Sequence, residues 1–347
     1  MQTINVLSTS RFSDELLDRL RAVSPRLRIR QQTCHDAAEV AAALTSDVEV
    51  LYTFHVPDDL LMRAPRLRWI QLHSAGADHL LDNPVMQSDV LVTTTSGLHA
   101  VRIAEYVFAS ILAFAYRVPL MLHYQRRREW PSGRWDLFAG LELRGQTIGL
   151  VGYGSIGREV GRIAHALGMR VLASRRSAGR PAADHEHRRP TSDKYHIPGT
   201  GDPEGVLVSR LYPPDRLTEM VAECDFVVVS TPLTPQTRGL ISETVLRAMK
   251  PNAYLVNVGR GPVIDERALI RALREKWIAG AGLDVFEEEP LPADSPLWEM
   301  DNVIISPHVA GFTLRYDERA VEIFTENLRR YLAGERLLNL VDKSKGY

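Results

Sequence analysis

The sequence predicts an α/β protein with two doubly wound domains, each built on a parallel sheet. The first observation is length, because 347 residues exceed one domain of ordinary size. The second is alternation: short apolar strands alternate with helical patterns in the N-terminal part, and a second such series begins near residue 147. The third is a hydrophobic fraction of 45%, which is sufficient for two cores.

The N-terminal series opens with the strand "INVLSTS" and a helix in which Leu16, Leu17 and Leu20 recur at helical spacing. Three further strands follow: "LRIRQ", "VEVLYTF" and "LRWIQL". Strands joined by helical crossovers pair in parallel, which predicts a flavodoxin-like domain. We assign this domain to residues 1–99 and 318–347, because "LLNLVD" near the C-terminus is expected to return to it.

The second series predicts a domain over residues 100–317, entered through one long helix from about Val101 to Arg126. Its strands are "TIGLV", "RVLAS", "DFVVVST", "AYLVNVG", "AGAGLD" and "NVIISP". Residues from about 177 to 216 are polar and lack an apolar period, so we expect an irregular surface insertion there. Its run "DHEH", Asp184–His187, is interpreted as solvated polar chain, and no metal site is predicted.

Charge and cysteine content exclude several classes of protein. A formal net charge of −1 argues against nucleic acid or a membrane as a partner. Cys34 and Cys224 cannot form a disulfide framework, which suits a reducing compartment. The N-terminus lacks the apolar core of a signal peptide, and the apolar run "YVFASILAFAY" is too short to span a membrane. We therefore expect a cytoplasmic protein.

The stretch "VGYGSIG" carries the most informative local motif. Gly152, Gly154 and Gly157 have the spacing G-x-G-x-x-G, directly after a predicted strand and at the start of a predicted helix. In that context the glycines allow a tight turn, close approach of a pyrophosphate and close helix–strand packing. The motif predicts a Rossmann domain. Its candidate cofactor contacts are Gly152, Tyr153, Gly154, Ser155, Ile156 and Gly157.

The second strand of this domain ends in "ASRR" rather than in an acidic residue. An Asp or Glu there would bind the ribose hydroxyls of NAD and repel the extra phosphate of NADP. Arg175 and Arg176 instead offer charge-assisted donors to that phosphate, with Ser174 as a hydroxyl contact. We predict that NADP, as NADPH, is preferred, while NAD binding remains the alternative.

Unusual polar residues follow the other predicted strands. Because ligands of open α/β sheets bind outside the carboxyl ends of the strands, these side chains are expected to converge beside the cofactor. They are Thr231, Arg260, Asp284, Glu289 and His308. Each alone has an ordinary structural explanation, so their joint placement carries the prediction.

Several longer motifs resemble the D-specific 2-hydroxyacid dehydrogenases. They are "LRGQTIGLVGYGSIG", "STPLTPQTRGLI", "NVGRGPVIDERAL", "GLDVFEEEPLP" and "NVIISPHVAG". The match runs from about residue 50 to 335 with the family's order and spacing. The Arg pair resembles the NADP-using glyoxylate and hydroxypyruvate reductases of that family, and the long insertion departs from the pattern.

The resemblance implies roles for the catalytic residues. Arg260 would hold the substrate carboxylate and polarise the carbonyl, and His308 would protonate the carbonyl oxygen. Of the three glutamates in "FEEEP", the family's motif points to the one directly before the proline. That residue, Glu289, would pair with His308 and favour the imidazolium. Asp284 would bind the nicotinamide carboxamide. The implied cofactor contacts at these strand ends are Thr231, Pro232, Val258, Gly259, Arg260, Asp284 and His308.

The resemblance also implies contributions from the first domain. "HSAGAD" resembles a carboxylate-binding loop, in which the N–H groups of Ala75 and Gly76 would bind the substrate beside Arg260 and His308. A homodimer formed through the long helix is implied, with Trp130 and Trp135 reaching the neighbouring subunit.

The implied function is that of an NADPH-dependent oxidoreductase reducing small 2-oxo acids to D-2-hydroxy acids, at a cleft between the two domains. A nucleotide-sensing regulatory protein, like the corepressors of this fold, is the alternative. Another alternative keeps the fold but oxidises formate or phosphite, for which the Arg–Glu–His set is less suited.

Overall fold

The structure is a computed structural model that describes residues 3–176 and 193–346. The predicted polar run Asp184–His187 lies outside the described residues. The contacts divide the described chain into two compact units. The first contains residues 3–98, 193–197 and 313–346, and the second contains residues 99–176 and 198–312. Each unit has its own parallel sheet, so the predicted fold class is confirmed.

The first unit has a five-stranded parallel sheet in the order β2-β1-β3-β4-β5, which is the flavodoxin-like order. Its strands are β1 (Ile4–Ser8), β2 (Leu27–Gln31), β3 (Val50–Thr53), β4 (Trp69–Leu72) and β5 (Leu91–Thr93). Its helices are α1 (Asp14–Arg21), α2 (Ala37–Ala43), α3 (Leu60–Arg63) and α11 (Tyr316–Ala333). The sequence explains the sheet directly, because β3 and β4 are buried along their whole length and are apolar except for Thr53 and Gln71.

The second unit has a seven-stranded parallel sheet in the order β12-β11-β10-β9-β6-β7-β8, a Rossmann order with one strand added at the β12 edge. Its strands are β6 (Thr147–Val151), β7 (Arg170–Ser174), β8 (Arg210–Tyr212), β9 (Phe226–Val229), β10 (Tyr254–Asn257), β11 (Gly280–Leu283) and β12 (Val303–Ile305). Its helices are α4 (Ala100–Ala115), α5 (Val118–Arg127), α6 (Arg134–Leu137), α7 (Ser155–Ala166), α8 (Leu217–Glu223), α9 (Glu243–Ala248) and α10 (Glu266–Arg274).

The predicted single helix from Val101 to Arg126 is wrong, because the structure has two helices there, α4 and α5, bent by 63°. Arg117 joins them in a left-handed conformation with φ 53°. Pro119 explains the break, since proline has no N–H and is tolerated only in the first turn of a helix, where α5 places it. Among the described residues, no single helix has the length and apolar character to cross a membrane, and α4 and α5 meet that test only when taken together.

The predicted irregular insertion also needs correction. Residues Arg210–Tyr212 form β8, which pairs with β7, and Pro214–Arg216 form a turn of 3-10 helix. Asp202 is buried rather than exposed at the surface. Residues 193–197 belong to the first unit, although the prediction placed the whole insertion in the other domain. Polar segments of this kind lack an apolar period, so their burial is invisible until the surrounding elements are placed.

Candidate active site

Most of the residues predicted to bind the cofactor lie at one edge of the larger sheet. Because the strands are parallel, their carboxyl ends share that edge, which is the ligand-binding edge of such sheets. In sequence order it carries the glycine turn Gly152–Gly157 after β6, Ser174 at the end of β7, Thr231 and Pro232 after β9, Val258, Gly259 and Arg260 after β10, Asp284 after β11, and His308 after β12.

The glycine turn has the geometry that its spacing predicts. Gly152 adopts φ 101°, a conformation that side chains disfavour. A Cβ on Gly157 would lie 2.2 Å from the carbonyl oxygen of Gly152, so only glycine fits between the turn and the helix. A Cβ on Gly154, in contrast, would meet nothing within 4 Å. The backbone is therefore open at the position where a pyrophosphate would approach.

Two groups beside this turn suit a dinucleotide. Helix α7 begins at Ser155 without a side-chain cap, so its first N–H groups and the positive end of its dipole are available to phosphates. The hydroxyl oxygen of Thr231 is buried and has no hydrogen-bond partner among the described residues. Buried polar groups are normally paired, which makes Thr231 a candidate contact of a bound cofactor. The residues present therefore fit a pyridine dinucleotide.

The residues predicted to bind the ribose phosphate of NADP lie at the end of β7. Ser174 is buried, Arg175 is half-buried and Arg176 is exposed. The main-chain N–H of Arg175 donates to the carbonyl oxygen of Tyr212 at 3.0 Å, which ties the start of this segment to β8. Burial and the neighbouring charge of Arg158 lower the pKa of Arg175. A bound anion would stabilise the charged guanidinium of Arg175 and so offset the lowering of its pKa.

The structure brings Glu289 and His308 together although they are far apart in sequence. His308 Nδ1 lies 2.7 Å from Glu289 Oε2, and Glu289 Oε1 accepts the main-chain N–H of Phe286 at 3.0 Å. When Nδ1–H donates to the carboxylate, Nε2 is the ring nitrogen left for a ligand, and it carries a transferable proton in the imidazolium form. The His308 side chain is 49% exposed, so that atom is accessible to a ligand.

His308 sits in a left-handed turn with φ 55°, an uncommon conformation for a residue other than glycine. Asp284 stabilises this turn. Its carboxylate accepts the N–H groups of Val309 and Ala310, each at 2.9 Å, and its carbonyl oxygen accepts the N–H of His308 at the same distance. Strained backbone persists where neighbouring contacts over-determine it, as they do here. In the structure Asp284 thus holds the turn. Its contact with the nicotinamide carboxamide stays a prediction.

Sequence reasoning missed two residues of this arrangement, Tyr106 and Ser306. The hydroxyl of Ser306 donates to Asp284, and the Tyr106 hydroxyl lies 2.6 Å from the Ser306 oxygen. Burial raises the pKa of Tyr106, and the charge of Asp284 adds to the effect. Ser306 could have been noticed because it directly precedes the Pro–His step, whereas Tyr106 comes from α4 and has no local signal.

Arg260 lies at the carboxyl end of the central strand β10, half-buried, with Nη1 donating to the carbonyl oxygen of Gly259 at 2.9 Å. Asn257, also missed by the sequence reasoning, supports this turn. Its side-chain oxygen accepts the N–H of Gly259 at 3.1 Å, and its amide donates to the carbonyl oxygen of Arg260 at 3.2 Å. The backbone that carries the guanidinium is thereby fixed from both sides of Gly259.

In the first unit, the loop after β4 contains Ala75 and Gly76. His73 anchors the start of this loop, since its Nδ1 lies 2.7 Å from the Tyr52 hydroxyl and its carbonyl oxygen accepts the Tyr316 hydroxyl at 2.6 Å. Within residues 3–176 and 193–346, no acceptor is found for the N–H groups of Ala75 and Gly76. Those two donors are therefore available to an anion.

Comparison with known proteins decides the family. A sequence profile described as "D-isomer specific 2-hydroxyacid dehydrogenase, NAD binding domain" matches residues 108–195 and 202–310. A glyoxylate reductase of Aeropyrum pernix is 36% identical over 312 residues, covering 88% of this chain and 86% of that protein. The chain belongs to the D-isomer specific 2-hydroxyacid dehydrogenase family. It is accordingly an NAD(P)-dependent oxidoreductase, as the resemblance of its motifs predicted.

Solved structures of this dehydrogenase family share the fold along the whole chain. A dehydrogenase from Xanthobacter autotrophicus Py2, in complex with NADPH and MES, is 30% identical with a TM-score of 0.77 and full coverage of both chains. An NADPH-dependent glyoxylate/hydroxypyruvate reductase from Sinorhizobium meliloti, in complex with NADP and sulfate, is 27% identical with a TM-score of 0.76. That structure covers 99% of this chain, and the whole of its own chain is matched.

Proposed function

We propose that this dehydrogenase reduces small 2-oxo acids, of the glyoxylate or hydroxypyruvate kind, to D-2-hydroxy acids with NADPH. The observation that carries the proposal is the Glu289–His308 pair, held at the same sheet edge as the glycine turn. An imidazole whose Nδ1 is held by a carboxylate presents Nε2 for proton transfer. The names of the relatives, glyoxylate reductase and glyoxylate/hydroxypyruvate reductase, support this substrate class.

The residues have distinct roles in the proposed reaction. His308 gives its Nε2 proton to the carbonyl oxygen, and Glu289 stabilises the imidazolium before that transfer. Arg260 binds the substrate carboxylate through its planar guanidinium. The nicotinamide, when bound, supplies the hydride to the carbonyl carbon. One hydride and one proton thus convert the 2-oxo acid to the hydroxy acid, and His308 is reprotonated from solvent.

The proposed preference for NADPH rests on the end of β7. Arg175 and Arg176 directly follow Ser174, at the position where an Asp or Glu would favour NAD. A hydrogen bond between a charged donor and a phosphate contributes roughly 1.5–3 kcal/mol, or on the order of 10- to 100-fold in affinity. The NADP complexes of related structures support the same preference.

We also propose that the enzyme is a homodimer assembled through α4, α5 and the segment after them. Helix α5 contains no buried residue although half of it is apolar. Trp130 and Trp135 are 85% and 78% exposed, and Tyr116 is 56% exposed. Large exposed aromatic side chains of this kind are typical of protein interfaces. Sedimentation velocity of the full chain tests this, since a monomer at micromolar concentration contradicts it.

A substrate panel tests the proposed reaction. The purified chain is assayed with glyoxylate, hydroxypyruvate, pyruvate and a branched 2-oxo acid, each with NADPH and with NADH. We expect the highest kcat/KM for a two- or three-carbon substrate with NADPH, and a product of the D configuration where the carbon is chiral. Higher kcat/KM with NADH contradicts the cofactor assignment. Absence of turnover with every 2-oxo acid contradicts the reaction.

A further inference from the structure

Within the predicted insertion, the described residues 201–207 place a buried carboxylate against the glycine turn. Asp202 is 2% exposed, and its Oδ2 accepts the hydroxyl of Tyr153 at 2.6 Å. Tyr153 is the residue between the first two glycines of the motif, and its ring is itself buried. A bond of this kind between a hydroxyl and a carboxylate is among the strong ones. The side chain at the centre of the turn is thus held by a residue 49 positions away.

Asp202 is pre-organised to receive this hydroxyl. Its Oδ1 accepts the N–H of Val206 at 3.0 Å, and its Oδ2 also accepts the N–H of Leu207 at 3.3 Å. The carboxylate therefore also closes the loop of residues 202–207. Buried polar groups are normally paired, and both oxygens of this side chain have partners.

A second carboxylate fastens the same segment to helix α7. Glu159 is 1% exposed and accepts the main-chain N–H of Gly201 at 2.6 Å, next to Asp202. It also receives a bidentate pair of bonds from Arg162 at 2.6 and 2.8 Å. Since α7 is the helix whose N-terminus faces the glycine turn, residues 201–207 are anchored to the turn and to the helix behind it.

Arg158 belongs to the same network. Its Nη1 donates to the carbonyl oxygen of Asp202 at 2.5 Å, and its guanidinium lies 4.9 Å from the centre of the Tyr153 ring. The charge of Arg158 also reaches Arg175, where it adds to the effect of burial in lowering that pKa. Asp202, Tyr153 and Arg158 therefore form one connected set beside the glycine turn.

We propose that Asp202 is a positioning residue for the dinucleotide site, which holds Tyr153, and through it the glycine turn, in the phosphate-binding conformation. Asp202 does not touch the cofactor; it acts through Tyr153 and Arg158. The inference rests on the proposed use of a pyridine dinucleotide and deepens it by giving residues 201–207 a function. The G-x-G-x-x-G motif alone would not reveal this support, because Asp202 belongs to a distant polar segment.

The test measures cofactor affinity separately from turnover. For Asp202→Ala in the full chain, we expect the Kd for NADPH, from fluorescence titration, to rise on the order of tenfold, the scale of one lost buried hydrogen bond. At saturating NADPH, kcat should stay within about twofold. Asp202→Asn should raise the Kd less than Asp202→Ala does, because its side-chain oxygen accepts from Val206 and its amide donates to the Tyr153 hydroxyl, while only the N–H of Leu207 loses its acceptor.

Two further variants keep the test decisive. Tyr153→Phe removes only the hydroxyl and should weaken NADPH binding in the same direction even if Asp202→Ala folds poorly. Tyr331→Phe is the matched control, since it removes a hydroxyl bonded to Glu49 at 2.8 Å in the other unit. Its Kd for NADPH should be that of the unaltered chain.

A fall in thermal midpoint with unchanged Kd in both Asp202→Ala and Tyr153→Phe would overturn the proposal, because the network would then be structural only. An equal loss of affinity in Tyr331→Phe would overturn it as well. The readout is independent of the substrate. If the unaltered chain binds NADPH but reduces no 2-oxo acid, the proposed reaction fails while the positioning role stands.

Discussion

The main-chain N–H of His308 donates to the carbonyl oxygen of Asp284 at 2.9 Å, and the Asp284 side chain accepts the next two N–H groups, from Val309 and Ala310. The residue directly after β11 thus fixes the turn that follows β12. His308 can keep its left-handed conformation because these bonds oppose its relaxation. Asp284 and the proposed proton donor are therefore parts of one local structure.

Asp284→Asn should destabilise this turn. An asparagine offers one side-chain oxygen, so one of the N–H groups of Val309 and Ala310 would face an amide N–H instead of an acceptor. An unsatisfied buried donor costs about 1–3 kcal/mol, which lowers the thermal midpoint by several degrees in a chain of this size. Differential scanning calorimetry measures this. Ser306→Ala, which leaves both N–H groups paired, should lower the midpoint less; an equal effect would contradict the explanation.

His308→Ala should lower kcat by roughly 10²–10⁴-fold, the scale of a lost general acid. His308→Asn is the better-matched variant, because asparagine tolerates the left-handed backbone at this position. Glu289→Gln should lower kcat by a smaller factor, since the imidazole remains but loses its ionic partner. Steady-state kinetics with saturating NADPH and 2-oxo acid measure all three. Wild-type turnover in His308→Asn would remove His308 from the proton transfer.

Arg260→Lys should reduce kcat/KM for the 2-oxo acid on the order of 10- to 100-fold, while cofactor binding changes little. A lysine retains the charge but cannot donate two parallel hydrogen bonds to a carboxylate. Arg267→Lys, on the exposed surface of α10, is the control and should leave kcat/KM unchanged. If both variants behave alike, Arg260 does not bind the substrate.

Arg176→Ala should lower kcat/KM with NADPH by about 10- to 100-fold and leave kcat/KM with NADH nearly unaltered. The reason is that only NADP carries the phosphate that the arginines are proposed to bind. Arg170→Ala provides a control from the opposite end of β7, where the side chain pairs with Glu223 at 2.9 Å. Parallel losses with both cofactors would show that Arg176 does not discriminate between them.

Glu266 gives a pH-dependent prediction. Burial raises its pKa above 4.5, and the charges of Glu287 and Glu288 raise it further. A carboxyl whose pKa is raised in the folded state contributes stability that is complete below about pH 4.5 and is lost as the pH rises through the folded-state pKa. Glu266→Gln should therefore raise the thermal midpoint at pH 7 by about 1–3 °C and have little effect at pH 4.

Thermal unfolding of the variant and of the unaltered chain across pH 4–8 measures this difference. Glu287→Gln, which removes one neighbouring charge, should shift the midpoint in the same direction by less. A Glu266→Gln variant that is stabilised at pH 4 but not at pH 7 would reverse the expected sign and refute the assignment.

The sequence alone determined the strands other than β5 and β8, the order of motifs and the chemistry at the ends of the strands. These are local properties: β6 and β9 to β11 are short apolar runs, and the glycine spacing dictates the turn whatever surrounds it. Even the break between α4 and α5 was present locally as Pro119, although the apolar period continued past it. The family followed from the same local motifs.

Only the tertiary structure decided which distant polar groups meet. The bonds of Tyr106 to Ser306 and of Tyr153 to Asp202 join residues 200 and 49 positions apart, and neither Tyr106 nor Asp202 lies in a recognisable motif. A hydrogen bond of about 2.6 Å requires two atoms to be placed within tenths of an ångström, and that placement comes from the packing of whole helices and strands. Hydrophobic patterns position the elements, whereas the polar contacts between them exist only after the elements have packed.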